Sequence, residues 1–514
     1  MKHLSAIHPW SFRLLPLLLL SLSGSPVLAG SAVVGTGTPA SCTEGALDSA
    51  VASANSGGGT ITFACGADPV TLTLTGAKTI TGFVTIDSDL LVTLSGGNAT
   101  RHFVVSAGGV LTLRDIALVH GQATGGGAIL AEATSEVHFF STTITDNVST
   151  TVGGAIAATG AVVHGNNSRV AGNQASGAGG ALHLVGGRLD LGMVLVHGNS
   201  AGGAGGAVSI TGCNQLAVIL ASFDDNDSGS DGGGLDVSGC SGFIDQSQIV
   251  MNTATGKGGG MHLAGGSAVS LNYGTIGRNS AAEGGGLFQE SGTSSIHRQV
   301  TFSGNQAIAV GARGGGVANL GTLQLENNTV SGNSAAGSGG GVYSEGSTTL
   351  RFVTIAWNQA DVGGGLASSG PTLHMRNVIL AGDAATTSGE ECEITTPAPD
   401  FAASLWQGTT CGAVAANGNQ PATDALLRPL DFNCPVGIPF ELTRTHDLDP
   451  TSPAIDAGIP LPGGNAGQDQ RAVLRPQGLG TDIGAVESSP SGCAWFFADG
   501  FERGNTFAWT NVVD

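Results

Sequence analysis

Four reactive side chains recur at one phase of this chain: His183, Ser209, Asp236 and His262. Each stands just past a Gly-Gly-(Ala/Gly)-apolar motif. Reading that phase from end to end gives Leu130, Ala157, His183, Ser209, Asp236, His262, Phe288, Ala318, Tyr343 and Ala367. Ser, His and Asp are the types used in nucleophilic catalysis, where an imidazole activates a hydroxyl and a carboxylate orients the imidazole. Phe288 and Tyr343 add aromatic faces on which a sugar ring can stack. The period places these residues on a flat ladder with no evident oxyanion hole, so His183, Ser209, Asp236, His262, Phe288 and Tyr343 are candidate ligand-binding residues and no catalytic residue is assigned. A second cluster, Asp224, Asp225, Asp227, Asp231 and Asp236, has the oxygen ligands that Ca²⁺ takes. The Gly-Gly-x-Gly-x-Asp calcium repeat is absent, and a solvated acidic turn explains the cluster, so no cofactor is assigned. A third group, Asp456, Asp469, Arg471, Asp482 and Glu487, suits buried carboxylate–guanidinium pairs. Neither zinc-spaced Cys and His nor a Walker A, HExxH or GxSxG motif occurs, and lysine is confined to Lys2, Lys78 and Lys257.

The elements that must position these residues are set by the repeat. Gly-Gly-x-apolar starts at Gly126, Gly153, Gly179, Gly205, Gly232, Gly258, Gly284, Gly314, Gly339 and Gly363, at spacings of 24 to 30. An apolar-x-x-Asn motif interleaves with it, ending at Asn147, Asn173, Asn199, Asn226, Asn252, Asn279, Asn305, Asn333 and Asn358. Between the motifs, apolar residues alternate with period two, as in Leu182-His183-Leu184, which is strand patterning. The architecture expected is all-β: a parallel β-helix, a solenoid of about 26 residues per coil, with coils ~4.8 Å apart. In it the Gly-Gly pair supplies positive φ and close approach between coils, and the asparagines stack in a turn, each amide bonding its neighbour. The residue just after each motif lies between inward apolar neighbours and should point outward. With spacings this uniform, no large insertion walls off a cleft, and the widest turn, around Ile308–Arg313, is a small bulge.

The ends of such a stack need covering. Ser41-Cys42-Thr43-Glu44 has capping-box form, with Ser41 as N-cap, and Ala46, Leu47, Ala50, Val51 and Ala54 form a helical stripe. A short cap helix follows. Residues 385–440 hold three cysteines and several prolines and read as a loop-rich, disulfide-tied C-terminal cap. The organisation is 1–29 signal peptide, 30–59 N-terminal cap, 60–380 β-helix, 381–487 C-terminal cap and 488–514 linker and tail. The leader rests on Lys2 and Arg13, the apolar run Leu14–Leu22 and the cleavage site Val27-Leu28-Ala29. No later run is long enough to span a membrane as a helix. The cysteines are Cys42, Cys65, Cys213, Cys240, Cys392, Cys411, Cys434 and Cys493; eight in an exported chain suggest disulfides. Neighbour pairing is one of many possible connectivities. Cys213 and Cys240 stand at the same phase one coil apart, which favours that bridge.

Composition narrows the partners. Glycine is 86 of 514 residues, charged residues are 11%, and the net charge is −20, or −22 once the leader is removed. Glycine without a three-residue period excludes collagen. The acidic balance excludes nonspecific nucleic-acid binding and attraction to anionic lipid.

Gly153–Ile156 and Phe223–Asn226 resemble the repeat of polymorphic outer-membrane proteins. Cys42–Asn55 with Thr60-Ile61-Thr62-Phe63 resembles the start of exported bacterial β-helix proteins of the CSLREA type, although Thr-Glu-Gly-Ala-Leu follows the cysteine here. Ser452–Gly458, Asp469-Gln470-Arg471 and Asp482–Glu487 are similar to the choice-of-anchor Q domain. Phe497–Glu502 with Trp509 resembles a tail found on many exported proteins. The resemblances imply a right-handed parallel β-helix on a secreted or cell-surface protein and no defined reaction. Autotransporter relatives end in a membrane β-barrel, for which the 27 residues after Glu487 leave no room. The expectation is a monomeric, non-enzymatic scaffold that contacts polysaccharide or a cell-surface partner. The alternative is a polysaccharide lyase or glycoside hydrolase acting along the His183–His262 row.

Overall fold

The computed structural model describes residues 30–412, 416–433, 443–461 and 467–488. The leader, Cys434, Cys493 and the tail lie outside them. The chain is a parallel β-solenoid of about 14 turns. Three sheets run its length: a broad one of 25 strands, one of 13 strands that follows the Gly-Gly motif (the post-glycine sheet), and one of 11 short strands that follows the asparagine. Register is unbroken along the post-glycine sheet, where Leu182, Val208, Leu235, Met261, Leu287, Val317, Val342 and Leu366 pair in turn. Those eight side chains are fully buried, as is the column Ile144 to Ile355 three residues before each asparagine. Each such burial contributes about 1.5–3 kcal/mol, so the stack is held chiefly by like-on-like apolar columns.

The corners follow from backbone sterics. The first glycine of each pair has φ near +65 to +74° in most coils, a region that costs other residues a Cβ clash. The second is packed backbone to backbone: a Cβ on Gly233 would lie 2.2 Å from the Gly259 carbonyl oxygen. The asparagines close the adjoining corner. Asn173 Nδ2 donates to Asn199 Oδ1 at 3.0 Å and to the Ile144 carbonyl, and Asn173 N–H donates to the same Oδ1. The pattern repeats from Asn147 to Asn358 with every member buried, and ends on Asp383. A third corner, in the broad sheet, also takes left-handed residues, but it is occupied by polar residues such as Asp115, Asn167, Gln246, Asn327 and Asn377, and by Met193, Leu220, Tyr273 and Phe352, rather than by glycine.

Among the described residues one α-helix, α1 (Glu44–Gly57), lies at the N-terminal end and buries Leu47, Ala50, Val51 and Ala54. Its N-cap is Thr43, whose Oγ1 accepts the Ala46 N–H, and not Ser41 as expected. Ser41 Oγ instead accepts Thr36 N–H. Glu44, freed from a capping box, pairs with Lys78 at 2.6 Å and accepts from Thr75, which ties the helix to the second coil. Burial alone would raise the Glu44 pKa, but these donors outweigh it and hold it at about 2.

Disulfides join Cys42–Cys65, Cys213–Cys240 and Cys392–Cys411, the neighbour pairing. The pair Cys434–Cys493 lies outside the described residues.

The C-terminal segment departs from the expected cap. After the last coil (Asp400–Ala402, Leu405–Trp406, Gln420–Pro421) the chain turns back and clads the flank of the broad sheet. Thr301 Oγ1 donates to the Arg444 carbonyl, Thr329 Oγ1 donates to Gln470 Oε1, Ala485 N–H donates to Thr354 Oγ1 and Gly484 N–H donates to the Asn377 carbonyl. This outward-facing column is thus buried by hydrogen bonds at Thr301, Thr329 and Thr354 and, from Ile379 on, by an apolar cluster with Leu448, Ala454 and Ile483. Asp469–Arg471 (2.8 Å) and Arg475–Glu487 (2.9 Å) are the buried ion pairs that fix this segment, as their residue types suggest.

Candidate functional site

The post-glycine sheet puts the predicted row in register. Ala157, His183, Ser209, Asp236, His262, Phe288, Ala318, Tyr343 and Ala367 are successive partners. Side-chain contacts form within it. Asp236 Oδ1 is 2.8 Å from His262 Nδ1, and Ser209 Oγ donates to Asp236 Oδ2 at 3.4 Å. The order along the ladder is therefore His–Ser–Asp–His, and the serine meets a carboxylate rather than an imidazole. That order differs from a hydroxyl–imidazole–carboxylate triad. His183 is half-buried and its Nδ1 has no hydrogen-bond partner.

The row is less exposed than the alternation predicts. Ser209 is 3% exposed, His262 6% and Phe288 0%; Tyr343 is half-buried. Phe288 is thus not a sugar-stacking platform. The cause is a set of charged side chains that the motif reading passed over. Lys257, on the Gly-Gly turn, reaches across the row to Glu290 at 2.6 Å, with Nζ 4.6 Å from the Phe288 ring centre. Glu290 also lies 3.6 Å from His262 Nε2. Arg313, at the equivalent turn position, pairs with Glu283 at 2.7 Å and Glu345 at 3.4 Å and lies 5.5 Å from the Tyr343 ring centre. Tyr343 donates its hydroxyl hydrogen to Glu345. The signal was in the sequence: the residues just before successive Gly-Gly pairs, Asp231, Lys257, Glu283 and Arg313, alternate in sign coil by coil. The row is a shallow track, strapped over its second half and open around His183.

The electrostatics separate the two histidines. Burial lowers the His183 pKa, and distant Asp236 offsets only part of this. Burial also penalises charged His262, but the hydrogen bond and charge of Asp236, with Asp231 and Glu290, outweigh it and raise the His262 pKa. Near neutral pH the track presents a neutral imidazole at one end and an imidazolium-favouring site two coils beyond Ser209.

The aspartate cluster does not assemble into a cation cage. Asp224 pairs with His197 at 3.0 Å, Asp236 faces His262, and Asp231 Oδ1 accepts the Lys257 N–H. Among the described residues no three His, Cys, Asp or Glu side chains converge on a point where a metal ion would sit. No described helix is long and apolar enough to cross a membrane.

No protein-family profile matches the chain, and no curated protein matches it. Among solved structures, the crystal structure of pectate lyase Pel9A is similar at TM-score 0.37 and 13% identity, over 70% of this chain and 89% of that one. A likeness of that degree supplies nothing to a functional argument, which rests on the residues themselves.

Proposed function

We propose that the protein is an exported rod whose post-glycine face makes non-catalytic contact with glycans or a cell-surface partner. The observation that carries this is the row itself. Its residues change from His183 through Ser209 and Asp236 to His262 over four successive coils, and the Ser209 hydroxyl meets a carboxylate rather than an imidazole. The leader-like residues 1–29 and three disulfides support export to an oxidising compartment. The polymorphic outer-membrane protein-like repeats and the choice-of-anchor Q-like segment support surface placement. A solenoid whose N-terminal end is covered by α1 and whose broad sheet is clad by its own C-terminal segment suits a monomer.

The test is a polysaccharide panel on residues 30–514, scored for retention and for release of reducing or unsaturated ends, with and without Ca²⁺. The His183→Ala/Asp236→Ala double variant runs beside it. Retention without product, lost in the double variant, is expected. Product release that the double variant abolishes would overturn the reading and make the row an active site.

A further inference from the structure

The asparagine ladder ends on a residue that, when ionised, cannot complete it. The apolar-x-x-Asn motif has a further occurrence, Leu380-Ala381-Gly382-Asp383, in which aspartate stands where the other coils have asparagine. In the rungs before it, a backbone N–H and a side-chain amide both donate to the next oxygen of the column. Asn333 donates to Asn358 Oδ1 in this way, at 3.0 and 2.9 Å. Asn358 does the same to Asp383 Oδ1, at 2.7 and 2.9 Å. Beyond Asp383 the next carboxyl is that of Glu391. The Asp383 backbone N–H donates to it, and the two side chains share a hydrogen bond. An ionised aspartate has no hydrogen to put into that bond.

The setting disfavours two charges. Asp383 is 7% exposed and Glu391 3%. Asp383 Oδ2 and Glu391 Oε2 are buried, and no N–H or O–H of the described residues donates to either. A Cβ on Gly365 would lie 2.4 Å from Asp383 Oδ2, so the Gly-Gly turn presses directly on that atom. The surrounding elements bring no cation. Asn358 and Gly365 lie on one side, Gln407, Gly408 and Thr410 on the other, and Glu390, the further charge that bears on Glu391, has the same sign. Burial and the adjoining carboxylate push the Asp383 pKa well above its ordinary value, and burial raises that of Glu391. Two carboxyls in contact without a cation hold one proton between them and titrate as a pair.

We propose that one proton shared by Asp383 and Glu391 closes the C-terminal end of the ladder, and that its loss to solvent in alkali loosens the last coil. The proton takes the place of the amide hydrogen in the other rungs: Asp383 Oδ2–H donates to Glu391 Oε2. The folded chain keeps this proton where the unfolded chain, with ordinary carboxyls near 4, has released it. The contribution of the latch is therefore full below about pH 4 and is lost as the pH rises toward the raised value. A buried neutral histidine has the opposite sign, so the test compares chains at each pH.

The test is amide exchange of residues 30–514 from pH 5 to pH 8 beside Asp383→Asn and Glu391→Gln. Either variant supplies an amide hydrogen in place of the proton. The amides to follow are Asn358, which donates to Asp383, and Leu366, which donates to the Glu391 carbonyl. Their protection in either variant, relative to the parent chain, should rise by about tenfold or more between pH 5 and pH 8. Infrared difference spectra at pH 7 should show a protonated carboxyl that Asp383→Asn removes. If one variant fails to fold, the other carries the comparison. A protection ratio that stays constant with pH, lower protection than the parent in both variants at pH 8, or a difference spectrum without a protonated carboxyl would each overturn the proposal.

Discussion

The asparagine ladder and the post-glycine row flank the same Gly-Gly turns, one column on either side, and they are built in opposite ways. The ladder repeats one residue type through nine coils, is wholly buried, and satisfies each amide with the next. The row changes residue at nearly every coil, pairs off locally, and relies on charged side chains reaching over it. Uniformity in a stacked column marks a job that every coil shares, which is closing a corner without an orphaned polar group. Variation marks positions the stack does not need in common, and so positions free to contact something else. The interior makes the same distinction. Facing the core, Leu184, Ile210, Val237 and Leu263 give way to Gln289, Asn319, Ser344 and Ser368, all buried and bonded to neighbouring hydroxyls or carbonyls. The C-terminal coils therefore exchange apolar burial for a hydrogen-bonded interior, in the part of the solenoid that is also clad outside.

The contrast can be broken first at the turn the two columns share. Gly233→Ala places a Cβ against the backbone of the next coil and should cost more than about 3 kcal/mol, read as a lowered urea midpoint. Asn252→Ala comes next. It strands the Asn226 N–H and side-chain amide and should cost roughly 2–4 kcal/mol, with amide exchange accelerated in the coils on either side. A cost below about 1 kcal/mol would remove the ladder from its structural role.

Acid should distinguish the two halves. Burial pushes His102 down to about 4, His297 to about 3 and His446 to about 4, so all three are neutral in the folded chain. The unfolded chain binds those protons near pH 6.5 and thus holds more of them below it. Their stabilisation is complete above about pH 6.5 and is lost as the pH falls toward 4. Two of the three, His297 and His446, lie in the clad C-terminal half, so acid melting should begin there. His262 runs the other way: its contribution is full below about pH 6.5 and disappears as the pH rises through its raised pKa. Thermal melts from pH 4 to 8 check both signs. The smallest stability effect belongs to the row. Lys257→Ala should cost under about 1 kcal/mol, because its partner is partly solvated, while uncovering Phe288 and His262 to chemical modification.

The period, the glycine and asparagine columns, the helical stripe and the row were legible because each depends on residues a fixed distance apart. What escaped depends on something else. The broad-sheet corner is left-handed at Asp115, Asn167, Asn327 and Asn377, which favour that region, but also at Met193, Leu220, Tyr273 and Phe352, types that carry no turn signal, so the stack imposes the conformation on the latter four. The true helix cap lies two residues beyond the motif because Glu44 finds a better partner in Lys78. Cladding of the flank joins Thr301 to Arg444 across 143 residues, and no local pattern encodes such a contact. The straps were visible as alternating charge at one phase, but their reach over the row needed the third dimension.

The central claim is that the ladder is scaffold and the row is contact surface. Its most direct test is amide hydrogen exchange of residues 30–514 with and without the glycan fraction the chain retains. The account predicts added protection in Leu182–Val185, Val208–Thr211, Leu235–Ser238 and Met261–Ala264, with none in the short strands after the asparagines. Protection confined to those short strands, or no retained glycan to add, would contradict it.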